Sequence, residues 1–256
     1  GVGASEGSKV AAAPRAKRLL KEADVPETIW SEIPATGPGG RLTAEDAQKY
    51  IETQSEQRSG PESVPASRFP CYVTGIGTYV PESVIRNERF NGTFEGIDES
   101  YIEKVTGIRE RRWVNAEVTS DMAIHAAKAA MEEANIESTD VEMIILATTT
   151  ADMPLPATAC KVQQALGCGD IPAFDLQAAC SGWIYALSIG RKYIETGLHK
   201  NILVIAAEAM SRFTDESDRA TAFLFGDGAG AAVLSAKNGG TGHLLEEPVL
   251  KTDVAG

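Results

Sequence analysis

Between Cys71 and Ala236 short apolar, β-branched runs alternate with helical patterns, and this alternation narrows the fold more than any other feature of the chain. CYVTGIGTYVP from Cys71 reads as a strand closed by glycines and Pro81. A helix from Ser120 to Asn135, a buried strand MIILATTT from Met143 and a helix from Ala157 to Leu166 follow. A strand and helix then flank Cys180, with further strands NILVIAAEA from Asn201 and GAAVLSA from Gly230. Strands and helices taking turns at this spacing predict an α/β domain with a mainly parallel sheet.

The segment around Cys180 is the chemically suggestive one. Ala173-Phe174-Asp175-Leu176 has the pattern of a short buried strand, and Gln177-Ala178-Ala179 are small residues at a tight turn. From Ser181 the spacing predicts a helix with Trp183, Ile184 and Leu187 on one apolar face. Cys180 therefore falls at a strand-to-helix turn. The first amides of a helix lack partners within it, so they and the helix dipole favour a thiolate there. The same position also suits an ordinary buried cysteine, which behaves as a small hydrophobe.

Composition removes several function classes. With 43% hydrophobic and 23% charged residues, the chain of 256 residues has a globular make-up. No apolar run approaches the roughly 20 residues that span a bilayer, and the start carries no secretory pattern, so a cytoplasmic location is expected. A formal net charge of −12 argues against nucleic-acid binding, which needs clustered Lys and Arg. The four cysteines form no CxxC pair, so neither zinc nor a disulfide framework is expected, and Cys160 and Cys168 read as structural thiols. The chain opens on Gly1 rather than Met, as a processed or partial chain would.

Ahead of the α/β region the text is different. Gly1 to Lys9 is small and polar and is expected to be flexible. Pro14 suits a helix start, with Leu19 and Leu20 on one side and Arg15, Lys17, Arg18 and Lys21 mostly on the other. After PETIWSEIPA from Pro26 comes a glycine-rich loop, then Thr43 as an N-cap, Asp46 three residues later and a second helix through Ile51. Two short helices around a loop make a very small core. Residues 54–69, rich in Ser, Pro, Glu and Gln, read as a flexible linker. The chain thus divides into a helical domain over 9–53, a linker over 54–69 and the α/β domain over 70–256.

Two resemblances sharpen these readings. AACSGWIYAL resembles the active-site segment of β-ketoacyl-acyl-carrier-protein synthase III, and TGIGTYVPE from Thr74, TGIRERRWV from Thr106 and TDESDRATAFLFGDGAGAAVLSA from Thr214 follow that family's order and spacing. The resemblance implies the thiolase fold, built from two βαβαβαββ halves, with only the first half present. Pro14, Lys17-Arg18-Leu19, Glu22, Thr36-Gly37-Pro38-Gly39-Gly40-Arg41-Leu42-Thr43 and Glu45-Asp46 resemble the peripheral subunit-binding domain of dihydrolipoyl acyltransferases. That domain docks dihydrolipoamide dehydrogenase or a 2-oxo-acid decarboxylase.

By the first resemblance Cys180 is the nucleophile. It takes an acyl group from an acyl-coenzyme A, which then condenses with malonyl-acyl-carrier protein in a homodimeric enzyme that needs no cofactor and no metal. The same resemblance puts Tyr101 and Arg212 on either face of the coenzyme A adenine. Lys104 would substitute for a phosphate-contacting arginine, because Val105 stands at that position, and Leu155 would reach across the dimer to the base of the acyl pocket. The family's catalytic histidine and asparagine come from the second half, so the 256 residues alone are expected to be inactive; His125, His199 and His243 read as surface or structural. Gly226-Asp227-Gly228-Ala229-Gly230 lacks dinucleotide-loop spacing and reads as a structural turn. By the second resemblance Lys17, Arg18, Lys21 and Arg41 would face an acidic partner. A docking scaffold without catalysis, or another Cys-dependent thiolase-fold enzyme such as a hydroxymethylglutaryl-coenzyme A synthase, are the alternatives.

Overall fold

The computed structural model describes residues 11–23, 25–58 and 69–252, and the chain divides into two compact units, Gly1–Ala66 and Ser67–Gly256. Gly1 to Lys9 and residues 59–68 of the expected linker lie outside the described residues.

In the smaller unit, α1 (Pro14–Glu22) starts on its proline, where a missing N–H costs nothing, and buries Ala16 and Leu20. Helix α2 (Ala44–Arg58) starts with a reciprocal cap: Asp46 N–H donates to Thr43 Oγ1 at 3.1 Å, and Thr43 N–H donates to Asp46 Oδ2 at 2.8 Å. The helix runs on to Arg58, past residue 54 where composition predicts the linker to begin. PETIWSEIPA is more than a link. It forms a 3-10 turn over Glu27–Glu32 that buries Trp30, whose indole N–H donates to the Val25 carbonyl at 3.1 Å, and Ile33 follows into the core. A tryptophan adds about 4 to 6 kcal/mol of burial at 25 cal/mol per Å². That supplement explains how a unit whose buried core is Ala16, Leu20, Trp30, Ile33, Leu42 and Ala47 holds together.

The larger unit is built on one sheet. Its elements run β1 (Tyr72–Tyr79), a small hairpin of β2 (Val84–Arg86) and β3 (Glu110–Arg112) enclosing α3 (Glu99–Thr106), then α4 (Thr119–Ala134), β4 (Met143–Ala147), α5 (Thr158–Leu166), β5 (Ala173–Leu176), α6 (Gly182–Glu195), β6 (Asn201–Ala209), β7 (Asp227–Ser235) and β8 (His243–Leu244). The sheet order is β5-β4-β6-β7-β1-β8. Pairing is parallel along β5-β4-β6 and antiparallel from β6 through β7 and β1 to β8, so four of the six strands point one way. With the hairpin and α3 set aside, the order through β7 is βαβαβαββ.

Both faces of the sheet are covered, which is why β4 and β6 read as continuous apolar runs. Ile144, Leu146, Leu203, Ile205, Ala231 and Val233 meet the alanine face of α4 and Val162 of α5. Their neighbours Met143, Ile145, Ile202, Val204 and Leu234 point to the opposite face, against Ala186, Leu187 and Ile194 of α6. A satellite core of Phe90, Ile97, Ile102, Trp113, Ala222 and Phe223 packs under α3.

Three expectations are corrected here. β5 is half-buried rather than buried, because it lies at the sheet edge with β4 as its one strand partner. On α6 the buried side is Gly182, Ala186, Leu187, Gly190 and Ile194, while Ile184 is exposed and Trp183 half-buried. Asp227 to Gly230 already belong to β7, paired with Glu208, Ala207 and Ala206 among others, so this stretch is strand rather than turn.

Candidate active site

Strands β4, β5 and β6 carry their carboxyl ends to one edge of the larger unit, the place where open α/β sheets hold ligands. β5 ends at Leu176 and the chain passes through a 3-10 turn, Ala179–Ser181, directly into α6. Ala179 has φ 46°, a left-handed conformation that costs a non-glycine residue about 1 kcal/mol or more. Gly182 lets α6 begin hard against β4, since a Cβ there would stand 3.1 Å from Ala147 Cβ. The result is an exposed Cys180 just ahead of the helix, as the spacing predicts, rather than a core cysteine.

Cys180 opens on a cavity of about 500 Å³ walled by the ends of β4 and β6, the start of β7 and Trp183 of α6. The lining is mostly apolar: Ala147, Ala206, Ala229, Met210 and Phe225 stand beside Trp183, and Thr149 and Glu208 supply the polar side chains. Besides Cys180, Glu208 is the one ionisable residue in that lining. The Glu208 carboxylate accepts from Thr149 N–H at 2.7 Å, Thr149 Oγ1 at 3.0 Å and Thr150 Oγ1 at 2.7 Å.

Two acids, the half-buried Asp175 and the buried Asp227, tie the surrounding loops down. Asp175 on β5 accepts from the N–H groups of Thr158 and Ala159 at 2.7 and 2.8 Å, capping α5. Asp227 accepts from Val114 N–H at 2.7 Å and Ser211 N–H at 2.8 Å. The Phe225 wall is held through its carbonyl by Trp113 Nε1 at 2.9 Å, and the Phe223 carbonyl by the buried Arg111 guanidinium at 2.8 Å.

The other sequence-derived residues stand outside the cavity lining. Tyr101 and Lys104 are exposed one turn apart on α3, so they share a face. Arg212, in the 3-10 turn two residues beyond Met210, is exposed and donates to the carbonyls of Glu117 at 2.8 Å and Ala116 at 3.3 Å. Leu155 is 84% exposed in the loop after β4, so it does not pack on the sheet. His125 stacks on Tyr79 with centroids 4.5 Å apart, His199 lies 5.5 Å from the Tyr193 ring, and His243 pairs with Val73 at the far sheet edge. Among the described residues no group of three His, Cys, Asp or Glu could hold a metal ion. In the smaller unit Lys17, Arg18, Lys21 and Arg41 are all exposed; Arg18 pairs with Glu22 at 2.8 Å and Lys21 with Glu27 at 3.2 Å.

Sequence reasoning passed over Glu208, Thr149 and Phe225. A signal for the first was available: Glu208 is the one charged residue in the run NILVIAAEA.

Comparison with known proteins agrees with this geometry. Residues 174–253 match the family 3-oxoacyl-[acyl-carrier-protein (ACP)] synthase III, and residues 10–48 match the e3 binding domain. The β-ketoacyl-[acyl-carrier-protein] synthase III of Clostridioides difficile strain 630 is 49% identical over 169 residues, 66% of this chain and 51% of the relative. That of Staphylococcus saprophyticus is 44% identical over 176 residues, 68% of this chain and 56% of the relative. The crystal structure of 3-oxoacyl-[acyl-carrier-protein] synthase III from Aquifex aeolicus VF5 superposes with a TM-score of 0.63 at 44% identity, covering 64% of this chain and 53% of that one. The larger unit is similar to members of the synthase III family. It spans about half the length of the curated synthase III relatives it matches, and the e3 binding domain match lies ahead of it, in the smaller unit. Among the described residues no helix is long and apolar enough to cross a membrane.

Proposed function

We propose that the synthase unit carries the acyl-accepting half of a β-ketoacyl synthase III reaction, the first condensation of fatty-acid synthesis. The observation that carries this reading is an exposed cysteine opening on a largely apolar cavity at the carboxyl ends of the strands. Cys180 sulfur attacks the thioester carbonyl of an acyl-coenzyme A. Its S–C bond forms as the bond to the coenzyme A sulfur breaks, and that thiol leaves with the proton. Malonyl-acyl-carrier protein then loses carbon dioxide, its carbanion attacks the acyl carbonyl, and the bond to Cys180 sulfur breaks, releasing a thiolate that takes a proton from water. The histidine and asparagine that would stabilise the developing charge belong, in this reading, to a second half of the fold. Tyr101 and Arg212 would contact the adenine, Lys104 a phosphate and Leu155 the acyl pocket of a second protomer. The chemistry needs no cofactor beyond the two thioesters, and a cytoplasmic setting suits it.

After incubation with an acyl-coenzyme A, the mass of the protein should rise by one acyl group, located on Cys180, and Cys180→Ala should take none. An adduct on Cys160 or Cys168 overturns the assignment. Condensation is expected only with the second half present; ketoacyl product from the 256 residues alone contradicts the part given to the histidine and asparagine.

The e3 binding domain supports a second element of the reading: docking to a subunit of a 2-oxo-acid dehydrogenase complex, dihydrolipoamide dehydrogenase or the decarboxylase. Such a complex makes acyl-coenzyme A, and tethering the consumer of a product near its producer raises the local concentration. Leu155, smaller than phenylalanine, would admit a branched primer. Arg18 and Lys21 must exchange exposed partners, Glu22 and Glu27, for the docked surface, at little cost. Binding to dihydrolipoamide dehydrogenase should weaken with salt and with Arg18→Glu or Arg41→Glu. Failure to capture any dehydrogenase-complex subunit at low salt overturns the docking role.

A further inference from the structure

An acid in an apolar strand is costly unless donors meet it. Glu208 is met by three, and all come from two adjacent residues, Thr149 and Thr150. Thr150 is fixed independently of Glu208. Its hydroxyl accepts from Ala209 N–H at 2.8 Å, its N–H donates to Thr148 Oγ1 at 3.1 Å, and its carbonyl accepts from the Thr119 hydroxyl. Thr149 is held differently: its N–H and its hydroxyl both end on Glu208, and Thr149 is the residue of the pair that lines the cavity shared with Cys180. A side chain kept at this position for packing alone could be apolar, like its neighbours Ala206, Ala207 and Ala209 on the same strand.

We propose that Glu208 is a positioning residue that pins the Thr149 wall of the cavity and so sets how bulky a group Cys180 can carry. Its consequence for acyl chains rests on the reading of Cys180 as the acyl acceptor; the pinning itself does not. Glutamine at 208 has nearly the shape of glutamate but one acceptor oxygen and an NH2 group, so it cannot satisfy three donors from Thr149 and Thr150. The wall is then released, and the cavity discriminates less by size.

The test uses the full chain and probes that need no acyl-transfer chemistry. Rates of Cys180 alkylation by N-methylmaleimide and N-cyclohexylmaleimide are followed by peptide mass spectrometry, and their ratio measures size discrimination. Glu208→Gln should reduce the ratio roughly tenfold, the scale on which apolar pockets resolve one methylene. Glu208→Asp, which keeps both acceptor oxygens, should restore most of it. A role in folding alone would change both rates together and leave the ratio where it was. A wild-type ratio near one, an unchanged ratio in Glu208→Gln, or no recovery in Glu208→Asp each overturns the proposal. Should Glu208→Gln lose its circular-dichroism signature of folding, Thr149→Val, which deletes one of the bonds at constant volume, must lower the ratio in the same direction, and an unchanged ratio overturns it. Discrimination between maleimides without acylation by any acyl-coenzyme A would sink the proposed function and leave the pinning intact.

Discussion

Gly77 lies so close to Ala126 that a Cβ on Gly77 would stand 2.1 Å from the Ala126 carbonyl oxygen. Gly75 approaches Ala130 in the same way, at 2.2 Å. The two glycines of TGIG and the alanine face of α4 therefore let a strand and a helix meet backbone to backbone, and neither partner can yield without moving the other.

Gly77→Ala should accordingly cost about 3 kcal/mol or more, at or above the upper end for overpacking, because the clash is with backbone. Gly230→Ala is the control, since a Cβ there meets nothing within 4 Å, and it should cost under about 1 kcal/mol. Urea unfolding of both variants decides the matter. Equal losses would mean that β1 and α4 can separate freely.

Features set by near neighbours were legible in the sequence. Pro14 marks a helix start, Thr43 and Asp46 mark a cap, and the small residues before Cys180 mark a turn into a helix. What the sequence hid depends on strand order and on which surfaces meet. The AFDL strand reads as buried until β5 is known to lie at the edge, and Ile184 reads as core until the line of Gly182, Ala186 and Gly190 turns out to face the sheet. The cavity wall was hidden for the same reason. Thr149 and Glu208 are 59 residues apart and meet because β4 and β6 are parallel neighbours.

Asp46 gives the smaller unit a pH dependence of definite sign. Hydrogen bonds from the Thr43 and Thr36 amides and the Thr36 hydroxyl hold its carboxyl well below the usual range. A carboxyl with a lower pKa folded than unfolded stabilises the fold above the unfolded value, near 4, and that stabilisation is lost as pH falls. Hydrogen-exchange protection over residues 36–47, taken relative to the intrinsic exchange rate at each pH, should therefore fall below about pH 4, and Asp46→Asn should be less protected at neutral pH and flatter with acid. Unchanged protection in Asp46→Asn would remove the carboxylate from this role.

The four thiols should separate by accessibility. Burial pushes Cys71 up to about 12 and also raises Cys168, whereas Cys180 is exposed. Thiolate is the reacting form, so limiting iodoacetamide at pH 8 should label Cys180 first, then the half-buried Cys160, with Cys71 and Cys168 labelled only on unfolding. Peptide mapping reads the order; early modification of Cys71 would show that the β1 end of the sheet opens in the native state.

Arg191 and Glu195 form the most enclosed ion pair of α6 in the larger unit, 2.6 Å apart with side chains 13% and 8% exposed. Arg191 Nε also donates to the Leu245 carbonyl at 3.0 Å, and its guanidinium meets Glu247, so one side chain fastens the segment after β8 to the helix. Removing the arginine strands a buried carboxylate with only Lys192, 3.2 Å away, to compensate. Arg191→Met should therefore cost about 2 to 4 kcal/mol, while Glu247→Gln, at a side chain 53% exposed, should cost under about 1 kcal/mol. The double variant Arg191→Met, Glu195→Met should recover part of the first loss, because no charge is then left buried. Urea unfolding of the four proteins measures each term, and a double variant no more stable than Arg191→Met would show that the tie to Leu245, rather than the ion pair, carries the stability.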